Sequence, residues 1–493
     1  MELRLALSPR AGGPLQVQIF DQIRQLILDG GLRRAMALPP SRALAETLGV
    51  SRNTVLIAYE RLAAEGYVES RGTAGVFVAE IPPDELLRIR SSGRMEADDA
   101  GADDQSEPLL CFAGAPGGGG GDRPEFDLWV GRSDPATFPL QTWRRLVNRM
   151  LSERSDYLTD YCDPAGLPEL REAIADHLRR TRGMAVTQDQ IVVTGGGQDA
   201  LNLVVNLLRP HTRQLCIETP CYLGASMIFR GAGLVTHPTP VDEEGIRVDL
   251  LPKGRGSLLY VTPSHQFPTG VMMSLARRIA LLSWAEETDS FIIEDDYDSD
   301  FRYDGPPLTA LAGIDRGRRV FYAGTFSKSV GAGLRLGFAV TPRLRWEDAR
   351  FLKAQMSNGQ PWLEQAVMAA FIAEDHFGRH LRKLRKIYKA RRDCLVSELK
   401  RQFDDPQISG AEAGLHLIWR LPPSFPSALE IQATARRRGV GVYALSSGAS
   451  FDFMDGGDRT LVLGYSSLEH ASIVSAVQIL KDVISDGRTR STG

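Results

Sequence analysis

The chain has 493 residues, too many for one compact unit, with the 43% hydrophobic and 24% charged shares of an ordinary globular protein. A net charge of −3 argues against a chain that grips nucleic acid over its whole surface, so any such contact must come from a local patch. Five scattered cysteines argue against a disulfide framework, offer no zinc spacing and point to a reducing, cytoplasmic setting. No segment reads as a signal peptide or reaches the roughly 18 apolar residues of a membrane span, so no membrane partner is expected.

Residues 15–80 predict three helices and two short strands. Leu15, Ile19, Ile23, Leu26 and Ile27 recur at helical spacing, and Gly30-Gly31 ends that helix. A second helix is predicted over 41–48, followed by a tight turn at Gly49-Val50. A third starts at Ser51, a good N-cap, and carries Val55, Ala58, Tyr59 and Leu62 on one face. Alternating segments around Val68 and 76–78, separated by Gly72 and Gly75, predict a β-wing. Helix, tight turn, helix and wing is the geometry that lays one helix in the major groove of double-stranded DNA. Arg52, Asn53 and Thr54 fill the first turn after Ser51, away from the apolar stripe. Arginine pairs with guanine and asparagine with adenine. Arg42 is placed to reach a phosphate or a base, and Arg71, at the wing, a phosphate or the minor groove.

The run LPPSRALAETLGVSRNTVLIAYERLAAEGYVESRGTAGVFVA resembles the GntR-type winged helix-turn-helix, over almost all of residues 14–79. The resemblance implies a DNA-binding domain over 1–80 that meets promoter DNA through Arg42, Ser51, Arg52, Asn53, Thr54 and Arg71. Leu56 stands where many such domains carry an arginine, so base preference is not carried over. Residues 81–125 read as a flexible linker. Pro82-Pro83, the acidic cluster Asp98, Asp99, Asp103 and Asp104, and the glycine run 117–121 leave little to build a core.

From residue 126 an α/β pattern begins. Apolar runs at 191–194, 215–218, 258–262, 291–294 and 320–323 alternate with helical segments, which predicts a mostly parallel sheet covered on both faces. The large domain is expected over 126–344. Long charged helices and strands near 416–420, 440–443 and 461–465 predict a smaller α+β domain over 345–493.

Ligands of open parallel sheets sit at the carboxyl ends of the strands. The first run leads to Gly195, Gly196, Gly197 and Gln198 before a helix, which aims backbone N–H groups at an anion. The second leads to Tyr222 and the third to SHQFPTG (264–270), with His265. The fourth leads to Asp295-Asp296-Tyr297, and the fifth to Thr325, Lys328 and, past Gly331 and Gly333, Arg335. An amine, a carboxylate, a phenol and an arginine beside an anion cradle suit pyridoxal 5′-phosphate (PLP). The aldehyde needs an amine, the ring nitrogen an anion, the phenolic oxygen a donor and the phosphate an arginine. No residue set suggests a metal.

Residues 126–483 resemble a fold-type I aminotransferase body. Joined to a GntR-type reader, the whole chain resembles the MocR/GabR regulators. The resemblance implies that Lys328, in TFSK, is the Schiff-base lysine. It puts Arg335, Thr325, Gly196, Gly197 and Gln198 at the phosphate, Asp295 at the pyridine nitrogen and Tyr297 at the phenolic oxygen. Tyr222 would stack on the ring, with His265 close by. Tyr161, in YCDPAG, resembles the tyrosine that reaches the neighbouring subunit's phosphate, which implies a homodimer. The segment 131–139, GRSDPATFP, resembles the substrate-side loop. Two positions depart from aminotransferases: Phe267 replaces an asparagine, and Val462 stands where an arginine for the substrate carboxylate is sought. Arg459, nearby, is the alternative effector contact.

The expected function is a PLP-dependent transcriptional regulator that senses a small amino compound, such as GABA, taurine or a related amine, through aldimine chemistry. It would control a transport or catabolism operon, with the aminotransferase-like body as a sensor rather than an enzyme. Two alternatives stand beside this: a regulator of vitamin B6 synthesis that senses PLP itself, and a genuine aminotransferase.

Overall fold

A computed structural model describes residues 3, 5–7, 14–79, 123–303, 309–447, 451–452 and 457–491. The linker expected over 81–125 lies almost wholly outside the described residues. The chain divides into two compact units, Met1–Cys111 and Phe112–Gly493. None of the described helices is long and apolar enough to cross a membrane.

In the first unit, helix α1 (Leu15–Leu28) buries Ile19, Phe20, Ile23 and Ile27 on one stripe. Helix α2 (Ser41–Leu48) ends at Gly49, whose φ of 65° turns the chain within two residues. Helix α3 (Arg52–Ala64) buries Val55, Ala58, Tyr59 and Leu62 against the other two. Strands β1 (Val68–Ser70) and β2 (Val76–Val78) pair antiparallel, Glu69 opposite Phe77, and form the wing.

The second unit is built on an eight-stranded sheet. Its strands are β3 (Ile191–Thr194), β4 (Gln214–Thr219), β5 (Thr236–Asp242), β6 (Gly245–Ile246), β7 (Ser257–Val261), β8 (Phe291–Asp296), β9 (Val320–Thr325) and β10 (Gly337–Val340). The spatial order is β3-β10-β9-β8-β7-β4-β5-β6. The pairs from β9 through β5 are all parallel, while β10 runs against both its neighbours. Alternate residues of one strand enter different cores: Ile292 and Leu259 pack on one face, Ile293, Leu258 and Tyr260 on the other. Both faces are therefore covered, which is why these strands read as continuous apolar runs.

The smaller domain holds a four-stranded antiparallel sheet. It consists of β11 (Gln407–Ser409), β12 (His416–Arg420), β13 (Tyr443–Ala444) and β14 (Thr460–Gly464), in the order β11-β12-β14-β13. Two segments cross the boundary expected at 345. The helix Trp346–Ser357 lies against the large sheet: Lys353 Nζ is 2.6 Å from Asp199 Oδ2 and the Trp346 indole donates to Ile191 O at 3.3 Å. Conversely, Phe126–Asp127, at the start of the expected large domain, pairs with Val440–Gly441 of the smaller one.

Candidate cofactor site and nucleic-acid interface

Parallel register brings the carboxyl ends of β4, β7, β8 and β9 to one edge, with Glu294 opposite Val261 and Asp296 opposite Gly324. The reversed strand β10 begins at that same edge: Gly337 pairs with Thr325 on one side and Thr194 on the other. Arg335, two residues before Gly337, is thereby set between the ends of β3 and β9. A Cβ on Gly196 would lie 3.3 Å from Arg335 Nη1, so the guanidinium faces the glycine turn. Gly196 has φ 105° and caps the helix Gly197–Leu208, whose first N–H groups point out of the turn. Arg335 itself has φ 51°, a left-handed conformation costly for a side chain and held here by its neighbours. A Cβ on Gly197 would come 4.0 Å from Thr325 Cβ, and Thr325 Oγ1 donates to Ser327 Oγ at 2.9 Å. Gln198 Nε2 donates to the Tyr222 hydroxyl at 3.0 Å.

Lys328 follows β9 in the single wide turn Ser327–Gly331. Its Nζ donates to Gly131 O at 2.8 Å. Burial pulls the amine below its ordinary pKa, against the opposing charges of Asp298 and Asp295. Gly131 must be glycine: it has φ 70°, and a Cβ would sit 2.8 Å from Nζ. Asp295, at the end of β8, accepts from Tyr260 OH at 2.8 Å. Burial pushes its carboxyl up to about 7, although the Tyr260 hydrogen bond acts the other way. Tyr297 donates to His265 O at 3.1 Å, and His265 Nδ1 lies 3.1 Å from the same hydroxyl and 2.9 Å from Asp298 Oδ2. Burial acts to lower the His265 pKa, but Asp298 outweighs it and holds the imidazole above its ordinary value. Phe267 packs edge-on against Tyr222 and Tyr297, at 5.9 and 5.6 Å between ring centroids. It thus presents an apolar ring to both phenols.

Thus Lys328, Asp295, Tyr297, Arg335, Thr325, Gly196, Gly197, Gln198, Tyr222 and His265 stand along one sheet edge. Tyr161 does not join them: it is 85% exposed on the surface of the single chain. Arg459 does not either. Its guanidinium donates to the backbone carbonyls of Pro422, Phe425 and Pro426, so it ties a turn of the smaller domain instead of facing a ligand. Sequence reasoning missed Tyr260 and Asp298, the partners of Asp295 and His265. It also missed Asp296, whose carboxylate is buried with Arg182 and Tyr322. The acid-rich run after β8 was the available signal for Asp298; nothing local marks Tyr260, which reaches Asp295 from the adjacent strand.

In the first unit, Ser51 Oγ accepts from Thr54 N at 3.1 Å, so the hydroxyl serves as the N-cap of α3. Arg52 and Asn53 are exposed at that helix start, and Arg52 Nε reaches Ser41 Oγ at 3.5 Å. Arg42 is exposed and lies 3.5 Å from Glu46. Arg71 stacks on Phe77 with its guanidinium 4.9 Å from the ring centroid.

Residues 127–452 match the family described as aminotransferase class I and II, and residues 15–78 match bacterial regulatory proteins, gntR family. The body is similar to the crystal structure of a multiple substrate aminotransferase from Thermococcus profundus, with a TM-score of 0.67 and 25% identity over 74% of this chain and 92% of that one. Fold and site define a GntR-type DNA-reading head ahead of a fold-type I aminotransferase-like body, the fold of PLP-dependent aminotransferases. At nearly full length the chain is similar to the probable rhizopine catabolism regulatory protein MocR of Rhizobium meliloti, at 34% identity over 97% of this chain and 95% of that one. It is also similar to the pyridoxine biosynthesis transcriptional regulator PdxR of Corynebacterium glutamicum, at 30% identity over 99% of both chains. The chain belongs to the MocR family of helix-turn-helix transcriptional regulators.

Proposed function

We propose that this regulator holds PLP on Lys328 and reads an amino compound there, with promoter DNA as its output. The observation that carries the reading is the meeting of a buried amine, a partly buried carboxyl, an arginine and a glycine-capped helix start at one edge of the sheet. Arg335, Thr325 and the Gly196–Gly197 backbone would hold the phosphate. Asp295, a carboxyl held up near 7 by burial, would be re-ionised by a protonated ring nitrogen. Tyr297, supported by His265, would face the phenolic oxygen, and Tyr222 the ring. When bound, the cofactor supplies an electrophilic carbonyl for amines. Burial keeps Lys328 poised toward its neutral, nucleophilic form.

The body acts as a sensor rather than a turnover enzyme in this reading, and the chain works as a homodimer whose Tyr161 serves the partner's phosphate. A coupling of about 1–3 kcal/mol between effector and DNA suffices to change promoter occupancy 5- to 150-fold. The test is Lys328→Ala. The wild-type chain takes up PLP, gains absorption near the visible edge, and after borohydride carries a mass adduct on the Lys328 peptide. The variant carries none and loses effector-dependent promoter control. A wild-type chain that stays colourless, or a variant that keeps full control, overturns the proposal. The likeness to a pyridoxine biosynthesis regulator favours a second reading, in which PLP itself is the signal. Promoter affinity titrated with PLP alone, without any amine, separates the two.

A further inference from the structure

We propose that Lys353 is a positioning residue for the anion cradle: it neutralises Asp199, so that the glycine turn can take a doubly charged phosphate. This rests on the cofactor reading above and adds to that same site a residue that no strand end supplies. Asp199 lies in the first turn of the helix Gly197–Leu208. Its Oδ2 accepts from Gly195 N at 2.6 Å, from Lys353 Nζ at 2.6 Å and from Gln360 Nε2 at 3.2 Å. A Cβ on Gly195 would lie 3.4 Å from that oxygen, while a Cβ on the next residue, Gly196, would lie 3.3 Å from Arg335 Nη1. Two successive residues of the turn thus face a carboxylate on one side and a guanidinium on the other.

The carboxylate serves the shape of the turn and opposes its ligand. By taking the Gly195 N–H, Asp199 fixes the residue that leads into Gly196, where the chain adopts its positive φ and enters the helix. An anion in the first turn of a helix also draws on the positive end of the helix dipole, the same end a phosphate would use. Left bare, Asp199 would offset the charge that Arg335 brings to the cradle. Lys353 removes that conflict. Its side chain is fully buried and that of Asp199 is 24% exposed, so salt screens the pair little and the two charges balance where they stand. Stability alone does not account for the lysine, because an apolar pair of similar volume is often as stable as a buried ion pair or more so. Charge balance beside the phosphate is what an ammonium supplies there and an apolar side chain does not. The ammonium comes from a separate element, the helix Trp346–Ser357, and Gln360, just beyond that helix, brings its Oε1 to 3.3 Å from the place of a Gly195 Cβ.

The test uses the full-length chain and compares PLP with pyridoxal, which carries the same ring and aldehyde but no phosphate. Uptake is followed by absorption near the visible edge and by the borohydride-fixed adduct on the Lys328 peptide. In Lys353→Met, PLP binds roughly 10- to 100-fold more weakly, the effect of one uncompensated charge at a partly buried site. Pyridoxal binds as it does to the wild type, so the preference for the phosphorylated form falls by that factor. Adding Asp199→Asn restores the preference, since the asparagine oxygen still accepts from Gly195 N and no charge is left to oppose the phosphate. A preference unchanged in Lys353→Met overturns the assignment. Equal losses for the two ligands, or a double variant no better than Lys353→Met, overturn it as well and leave Lys353 a purely structural role. If Lys353→Met fails to fold, the double variant, which leaves no buried charge unpaired, decides alone. A wild-type preference there supports the neutralising role, and a preference lowered about 10-fold or more overturns it. A wild type that carries no PLP adduct on Lys328 defeats the cofactor reading first and this one with it.

Discussion

Asp295 and Lys328 show how one sheet edge sets the protonation of its own groups. Asp295 has its carboxyl raised from 3.8 to about 7 by burial, and Glu218, buried beside Thr262, is raised from 4.5 to about 7. In both cases the folded chain holds a proton that the unfolded chain has already released. Stability therefore falls as pH rises from about 4 to about 7, with the contribution fully present below that window. For two such groups the loss is on the order of a few kcal/mol. We expect the thermal midpoint of the cofactor-free protein to drop between pH 5 and pH 8, and Asp295→Asn to remove roughly half of that slope. A slope untouched by Asp295→Asn would show that this carboxyl is ionised throughout. If PLP sets a protonated ring nitrogen opposite Asp295, as proposed, it pulls that pKa down and flattens the same profile in the wild type.

The elements that present side chains are those whose local chemistry closes on itself. Helix α3 begins where Ser51 Oγ accepts from Thr54 N, and such a cap is worth about 1 kcal/mol. Ser51→Ala is expected to speed hydrogen exchange at the first amides of α3 in the full-length protein, while the amides of the large sheet keep their protection. Arg52→Ala, which leaves the cap intact, should cost about 1–3 kcal/mol at a cognate promoter site if the guanidinium reads guanine. Equal affinity for that site, measured at fixed salt, would remove Arg52 from base reading.

How much of this was legible follows the same division. The helix-turn-helix was readable because its signals are local: a 3.6-residue stripe, a glycine turn and an N-cap serine. The strands buried on both faces were readable as apolar runs, and the residues just past them marked the site edge. Strand β10 was not: it has four residues and starts with Gly337, whose added Cβ would meet Gly196 at 2.8 Å. Its direction depends on pairing with β3 and β9, nearly 150 residues apart for the first, so the reason Arg335 reaches the glycine turn was invisible. Tyr260 failed for a kindred reason, since its partner Asp295 is chosen by sheet register rather than by spacing along the chain.

At the scale of the whole molecule, the proposed homodimer turns on Tyr161. It is 85% exposed, while the neighbouring Asp163 is engaged with Arg350 at 2.9 Å, so the loop is anchored and the ring is left outside. In the proposed homodimer this phenol serves the phosphate of the second subunit. This gives a prediction that separates a shared site from a self-contained one. A homodimer of Tyr161→Ala should bind PLP roughly 10- to 100-fold more weakly, the value of a hydrogen bond to a charged group, and a homodimer of Lys328→Ala should carry no covalent adduct. In a mixed dimer of the two variants, a shared arrangement concentrates both lesions in one site and rebuilds the other from intact parts. Half the sites then bind with wild-type affinity and carry the adduct on Lys328. A self-contained arrangement leaves one site without its lysine and the other without its tyrosine, and no tight site returns. Titrating PLP into purified mixed dimers, with mass analysis of the reduced adduct, distinguishes a half-complement of tight sites from none.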